Sequence, residues 1–209
     1  AIIASLLIGG LLGAINGLFI SFGKMAPFIV TLATQMVYRG LTLVFTNGNP
    51  LTKNMDGFFL AYIGQGYLLG IPFPVILMVI AFAVLYVLLH RTAFGKSVYA
   101  LGGNEQAAYI AGVKSNRVKI AIYTISGLMS ALAGLVITSR LSSATPQAGN
   151  GYELYAIAAV VLGGTSLMGG KGRMSGTIIG VLIIGVLNNG LNIIAGSYTH
   201  IRDHGNGRK

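Results

Sequence analysis

The sequence predicts an all-α fold: a polytopic transmembrane helix bundle with a short helix on its cytoplasmic side, truncated at both ends. Three observations carry that prediction. Of the 209 residues, 54% are hydrophobic and 9% charged, where a soluble domain has about 25% charged residues. Several apolar runs reach the ~20 residues that a helix needs to cross a ~30 Å hydrocarbon layer. Most of the basic residues fall in the connections between those runs. The 14 basic and 4 acidic side chains are too few to cover a water-soluble domain of this length. A soluble enzyme, a disordered chain and a collagen-like rod are therefore excluded.

The elements follow in chain order. Residues 1–22 contain no charge, and Ala1 opens inside the apolar run without a charged leader, so the expectation is a fragment and not a secretory signal. Residues 27–46 form a weaker span, because Gln35 and Arg39 stand in mid-run; a charge at that depth costs at least ~2.5 kcal/mol unless it meets a cavity or a partner. Residues 47–71 are a nearly uncharged connection rich in Asn, Gly and Pro. Residues 72–90 open with Pro72-Phe73-Pro74 and reach His90 without a charge, and residues 91–117 form a long basic connection. Residues 118–139 are apolar apart from Lys119 and scattered Ser and Thr, and residues 140–153 carry one Arg and one Glu. Residues 154–169 are short for a spanning helix and end in a Gly-rich stretch, so a broken or re-entrant segment is the alternative there; such backbone is tolerated at depth only when buried in protein or lining water. Residues 174–197 are apolar with three Asn. After Tyr198 the chain turns polar, and disorder is expected from about residue 200. The domain reading is a partial membrane domain over 1–199 and a polar tail over 200–209.

Six crossings would sort the connections by charge. One set holds Lys24, Arg91, Lys96, Lys114, Arg117, Lys119, Lys171 and Arg173; the other holds Lys53 and Arg140. The positive-inside bias puts the first set in the cytoplasm. Lys171 and Arg173 join it only if 154–169 crosses. The net charge of +10 would suggest nucleic acid in a soluble protein. Here the basic residues are dispersed without interleaved aromatics, so the expected partner is the lipid bilayer and not nucleic acid. With no Cys in the chain, there is no disulfide framework, thiolate chemistry or Cys-ligated metal.

The basic connection 91–117 carries the functional signal. Gly102 and Gly103 are read as a turn, Asn104 as an N-cap, and Glu105 as a first-turn anion favoured by the helix dipole. A two-turn helix follows through Ala107, Ala108 and Ala111, with Gly112 closing it in the left-handed region. Taken alone, such a helix could be an ordinary surface helix packed on its own bundle. The run Tyr99-Ala100-Leu101-Gly102-Gly103-Asn104-Glu105-Gln106-Ala107-Ala108 and the later run from Gly151 to Gly172 resemble, in order, two signatures of the sugar (ribose-type) / branched-chain amino acid permeases of ABC importers. The resemblance covers roughly residues 1–198. It implies a membrane-spanning permease subunit that translocates a monosaccharide such as ribose across a bacterial inner membrane. It further implies a second permease subunit forming a homodimeric pore, cytoplasmic ATP-binding subunits and a periplasmic sugar-binding protein. Gly102, Gly103, Asn104, Glu105, Ala107 and Ala108 would then form the helix on which the ATPase docks. Family members also have further membrane helices upstream and a hydrophobic final helix where 199–209 stand here.

Other constellations are weaker. Gly163 to Lys171 looks like a phosphate loop, but a Walker A pattern needs Gly at 165 and Ser or Thr at 172, where Thr165 and Gly172 stand. No nucleotide site or cofactor is expected; the Gly run is either a flexible break near the path or a tight turn. Gly9, Gly13 and Gly17 recur at a spacing of four, as do Gly176 and Gly180; such faces let helices approach backbone to backbone, within the subunit in the first reading and between subunits in the second. Asn188 and Asn192, one turn apart, either hold helices together or meet sugar hydroxyls. Arg39, near Thr31, Thr34 and Gln35, is a pore-lining or salt-bridged candidate, with Glu153 as the best partner. Asp56, Glu105, Glu153 and Asp203 fall in separate segments, two of the three His lie in the tail, and no catalytic set can be assembled. An ion-driven secondary transporter, which would need an intramembrane carboxylate, and a non-transporting truncated membrane protein are the alternatives.

Overall fold

The computed structural model describes residues 2–52 and 58–205, with the side-chain surroundings of 58–60, 192 and 194–205 left aside. Lys53 and Asp56 of the second connection and residues 206–209 of the tail lie outside the described residues. In order the elements are α1 (Ile2–Gly23), α2 (Pro27–Thr46), α3 (Phe58–Gln65), a hairpin of β1 (Tyr67–Leu68) and β2 (Ile71–Pro72), α4 (Phe73–Arg91), α5 (Ala93–Gly103), α6 (Glu105–Ile110), α7 (Ser115–Leu141), α8 (Tyr152–Leu162) and α9 (Met174–Gly205). Among the described residues, five helices are long and apolar enough to cross a membrane: α1, α2, α4, α7 and the Met174–Leu191 part of α9. The chain forms two compact units, Ala1–Gly149 and Asn150–Lys209.

In the first unit α1 packs antiparallel on α7. The glycine stripe of α1 makes this contact. A Cβ on Gly13 would run into the Tyr123 carbonyl oxygen, and one on Gly9 into the Ala131 side chain. A Cβ on Gly17 would lie 2.7 Å from Ile120 Cα. On the α7 side, Gly127 faces the Gly9 carbonyl in the same way. Beyond the stripe, Ser21 Oγ donates to the Asn116 carbonyl at 3.2 Å. Lipid offers no hydrophobic force between helices, so such close backbone packing supplies the attraction. The stripe thus packs within the subunit.

α2 starts with Pro27 in its first turn, where the missing N–H costs nothing, and closes on Asn47 in the left-handed conformation (φ 49°). Its threonines turn their hydroxyls back onto carbonyls one turn earlier, Thr31 to Pro27 at 3.0 Å, Thr34 to Val30 at 2.9 Å and Thr42 to Tyr38 at 2.8 Å. These hydroxyls need no water, so a polar-looking run is compatible with lipid. At the far end of α7, Ser139 Oγ accepts from the Gly64 N–H at 2.8 Å, and the Gln65 amide donates to Ser142 Oγ at 2.9 Å. Leu51 and Ala144 pair as an antiparallel bridge. These contacts tie α3 and the 47–51 connection to the end of α7 opposite Ser115.

In the second unit α8 and α9 pack antiparallel, again through glycine: Gly176 lies against the Gly163 carbonyl and Gly180 against that of Ala159. Between them the Ser166 N–H donates to the Lys171 carbonyl at 2.9 Å, and Gly164, Gly169 and Gly170 take positive φ. The Gly run is a tight turn.

Three expectations change. Residues 154–169 do not form a spanning helix: α8 has 11 residues, roughly 16 Å at ~1.5 Å per residue, about half the ~30 Å needed, and it ends where the Gly run begins. Lys171 and Arg173 therefore move to the side of Lys53 and Arg140, and the charge bias narrows to six basic residues (Lys24, Arg91, Lys96, Lys114, Arg117 and Lys119) against four. Gly102 and Gly103 are not a turn; they are the last residues of α5, a helix started by Thr92, whose hydroxyl accepts from the Gly95 N–H at 3.3 Å. The backbone of α9 stays helical to Gly205, into the segment expected as a polar tail.

The glycine seam can be tested against its own internal control. Gly134, also on α7, has open space where a Cβ would go. Gly134→Ala should leave thermal stability in detergent unchanged or raise it by up to ~1 kcal/mol, the helix-propensity gain. Gly13→Ala should lower it by ~1–3 kcal/mol, because the clash is with backbone and the helices must part. Equal melting temperatures for the two variants would show that the seam is not close-packed.

Candidate functional site

The site is built around α6, and Asn104 defines it. Asn104 is extended (φ −157°, ψ 108°) and stands between two helices. Its N–H donates to the Ala100 carbonyl at 3.1 Å, closing α5. Its side-chain Oδ1 accepts from the Ala107 N–H at 3.0 Å, opening α6. Asn104 thus satisfies backbone at both sides of the break, with its own N–H toward α5 and its side-chain oxygen toward α6. At the other end, the Gly112 N–H donates to Tyr109 and the Val113 N–H to Ala108, both at 3.0 Å. Gly112 holds φ +85°, the left-handed conformation that glycine adopts without Cβ strain.

α6 has an inner and an outer side. Ala108 is buried (3% exposed). Glu105 reaches Lys119 of α7 at 2.5 Å, with the lysine the more covered of the pair (24% against 54%). Tyr109 and Ile110 stand free at 74% and 85% exposure, and Gly102, Gly103, Gln106 and Ala107 are exposed beside them. α6 is therefore tied to α7 by an ion pair, keeps one small side chain buried, and presents an aromatic and an aliphatic side chain outward. Beside it lies a cleft of about 930 Å³ between the α1–α2 turn, with Lys24, Met25 and Pro27, and the Glu105, Tyr109 and Lys119 side chains.

Of the six residues expected in the docking helix, Glu105, Ala107 and Ala108 lie in α6, Asn104 caps it, and Gly102 and Gly103 end α5. Small residues at 102, 103 and 107 leave the surface beside Tyr109 low; a Cβ at Gly103 would meet nothing within 4 Å. Glu105 points to Lys119 and so belongs to the inner side. Sequence reasoning missed Lys119, which was read only as the basic entry to a span, and it missed the exposure of Tyr109 and Ile110. The opposite charges of Glu105 and Lys119 flanking the Gly112 turn were the signal available for the pair.

The residues expected on a translocation path are divided between the two units. Arg39 is half-buried on α2 in the first unit, where its neighbour Tyr38 reaches Asn16 Oδ1 of α1 at 3.5 Å. Asn188 is half-buried on α9 in the second unit. Asn192 lies on the same helix, its side chain outside the described set. Among the described residues, no group of three or more His, Cys, Asp or Glu side chains could hold a metal ion.

Comparison with known proteins gives a consistent result. The profile of the family described as branched-chain amino acid transport system / permease component matches residues 1–201. The ribose import permease protein RbsC of Bacillus subtilis is 64% identical over 179 residues, 86% of this chain and 56% of that protein. The Escherichia coli K12 protein of the same name is 50% identical over 198 residues, 93% of this chain and 61% of that protein. The D-allose transport system permease protein AlsC of Escherichia coli K12 is 44% identical over 197 residues, 93% and 59% of the two chains. The chain thus spans less than two thirds of the length of these relatives. No solved structure matches it.

The cap is the most local test of this geometry. Asn104→Ala removes the acceptor of the Ala107 N–H and should cost α6 about 1 kcal/mol. Amide exchange at residues 105–108 should quicken while α7 is unaffected, and Asn104→Ser, which keeps an acceptor oxygen, should restore protection. Unchanged exchange in the Ala variant would show that the cap does not hold α6.

Proposed function

Since the chain belongs to the branched-chain amino acid transport system / permease component family, we propose that it is a membrane-spanning permease subunit of an ATP-driven importer for a monosaccharide such as ribose. The sugar comes from the printed function of the relatives, two of them ribose import permeases at 64% and 50% identity. The working part is the exposed α6, and that single observation carries the reading. A six-residue helix with Tyr109 and Ile110 outward has little reason to stand clear of its own bundle unless another protein covers it.

In this reading cytoplasmic ATP-binding subunits hold α6 through Tyr109 and Ile110, over the low surface of Gly102, Gly103 and Ala107. They carry out all ATP hydrolysis; this chain is no enzyme. A displacement of α6 passes to α7 through the Glu105–Lys119 pair. It passes from α7 to α1 through the glycine seam, where backbone contacts backbone and neither helix can slide freely. The end of α7 bonded to Gly64 and Gln65 then moves on the periplasmic side, where a sugar-binding protein delivers its cargo. A second permease subunit, as a homodimer, completes the pore. Residues 1–199 form the membrane part and 200–209 a polar tail. Arg39, Asn188 and Asn192 lie along the path, which needs only weak, wet contacts because selectivity is exercised before the sugar enters. An ion-driven mechanism is disfavoured: Asp56, Glu105, Glu153 and Asp203 all lie outside the five apolar spans, and coupling to protons would need a carboxylate inside one.

The ion pair is the decisive element to perturb. An exposed pair contributes only ~0.2–1 kcal/mol, so its loss should not unfold the bundle; what it controls is the attitude of α6 on α7. In the full-length permease reconstituted with its ATPase and binding protein, Glu105→Lys or Lys119→Glu should cut sugar uptake per ATP hydrolysed several-fold. ATPase co-purification should survive, and the double exchange should recover most of the loss. Full coupling in both single variants would overturn the proposed transmission route.

A further inference from the structure

The β1–β2 hairpin is unlike the other connections. It pairs Tyr67 with Pro72 and Leu68 with Ile71, and its two turn residues, Leu69 and Gly70, both take positive φ (53° and 79°). Two-residue hairpin turns of this hand favour Asn-Gly or Asp-Gly, because a β-branched or bulky residue is strained there. Here the first position is Leu, and Leu69 is also 96% exposed. Tyr67, Ile71 and Leu68 are exposed at 67%, 48% and 45%. In water this tip combines a disfavoured backbone conformation with an uncovered apolar surface, and nothing would offset either.

Its position supplies what water does not. β2 runs without a break into α4, and the Phe73 N–H donates to the Gly66 carbonyl at 2.8 Å across the base of the hairpin. Tyr62 Oη donates to the Tyr67 carbonyl at 3.1 Å, and the Tyr62 and Phe73 rings lie 5.2 Å apart. The hairpin is therefore held close to the first turn of α4. α4 is an apolar span with none of its residues buried in this unit, and residues 58–89 contain no charged side chain. The exposed apolar hairpin thus leads directly into an uncovered apolar helix.

We propose that the β1–β2 hairpin is a membrane-interface anchor whose tip, Leu68 to Ile71, inserts into the phospholipid leaflet at the N-terminal end of α4. The depth is shallow. Irregular backbone is not tolerated against lipid in the hydrocarbon core, whereas the boundary between headgroups and acyl chains accepts both an apolar side chain and a hydrated turn. Tyr67 sits at the level that membrane proteins reserve for aromatic side chains. The anchor fixes where α4 enters the bilayer. This inference is independent of the transport reading.

The 209 residues contain neither Cys nor Trp, so single reporters are clean. The full-length permease, with any cysteine or tryptophan elsewhere replaced, is reconstituted in phosphatidylcholine–phosphatidylglycerol vesicles and spin-labelled at Leu69→Cys. Collisions with oxygen should exceed those with a water-soluble nickel chelate. The ratio should fall between those of Val79→Cys, in the middle of α4, and Asn49→Cys, in the connection. In a second experiment, a Tyr67→Trp reporter should be quenched by shallow lipid-borne quenchers. Adding Leu69→Asn, which suits the turn better but removes the apolar side chain, should at least halve that quenching. A nickel-accessible Leu69→Cys like Asn49→Cys would overturn the proposal. So would a label shielded from both reagents, which would mean a protein contact, or unchanged quenching in the Asn variant.

Discussion

Two membrane-length helices, α1 and α7, touch backbone to backbone, and most of what this structure can do depends on that contact. Among the described residues only Ile20, Val30, Ala108, Leu135 and Ala159 are buried apolar side chains. A water-soluble domain built this way would not hold together. In lipid the large exposed side chains, such as Phe45 and Met36 at 84% and 74%, have nothing to gain from burial. What remains to hold helices together is close packing, and glycine permits the closest. Gly9 and Gly13 facing Gly127, with Gly17 against Ile120, supply it in the first unit, and Gly163, Gly176 and Gly180 do so in the second.

The same constraint explains how so few polar groups suffice. Threonine hydroxyls in α2 are satisfied by their own helix, Ser21 by the start of α7, and Ser139 by α3. The connections carry the specific chemistry. At one end of α7 a charged pair positions a short exposed helix; at the other, amide and hydroxyl groups bind a short helix and a strand bridge. α7 thus joins two surfaces of different character through a rigid rod of 27 residues. A rod clamped at both ends and seamed to a neighbour along its side can pass a displacement from one surface to the other.

The spans were legible because run length is a one-dimensional signal. α1, α2 and α4 begin and end within a residue or so of the apolar runs that announced them, and α7 extends its run by a few residues at each end. The Asn104 cap and the Gly112 closure were legible too, since each depends on a side chain and its immediate neighbours. α5 was not. Gly95, Gly102 and Gly103 argue against a helix locally, and it forms because Thr92 caps it and because Gly95 lets the chain turn tightly against the Leu89 carbonyl. α8 was misjudged in length because apolar character continues past the point where the Gly run turns the chain. The Glu105–Lys119 pair bridges two helices across a turn, and spacing alone does not reveal that. The strained, exposed Leu69 was invisible as well, because nothing in its sequence context announces a positive φ.

The sidedness of α6 is the point on which the mechanism stands, and site-directed labelling of Tyr109→Cys in intact cells tests it most directly. Tyr109 is exposed, so the new thiol would be reachable from whichever compartment it faces. A cytoplasmic α6 held by ATP-binding subunits predicts no reaction with a membrane-impermeant maleimide in intact cells. It predicts rapid reaction once the inner membrane is opened, slowed when the ATPase is present. Labelling in intact cells through the outer face would put the helix on the side of the sugar and contradict the proposed route from ATP to transport.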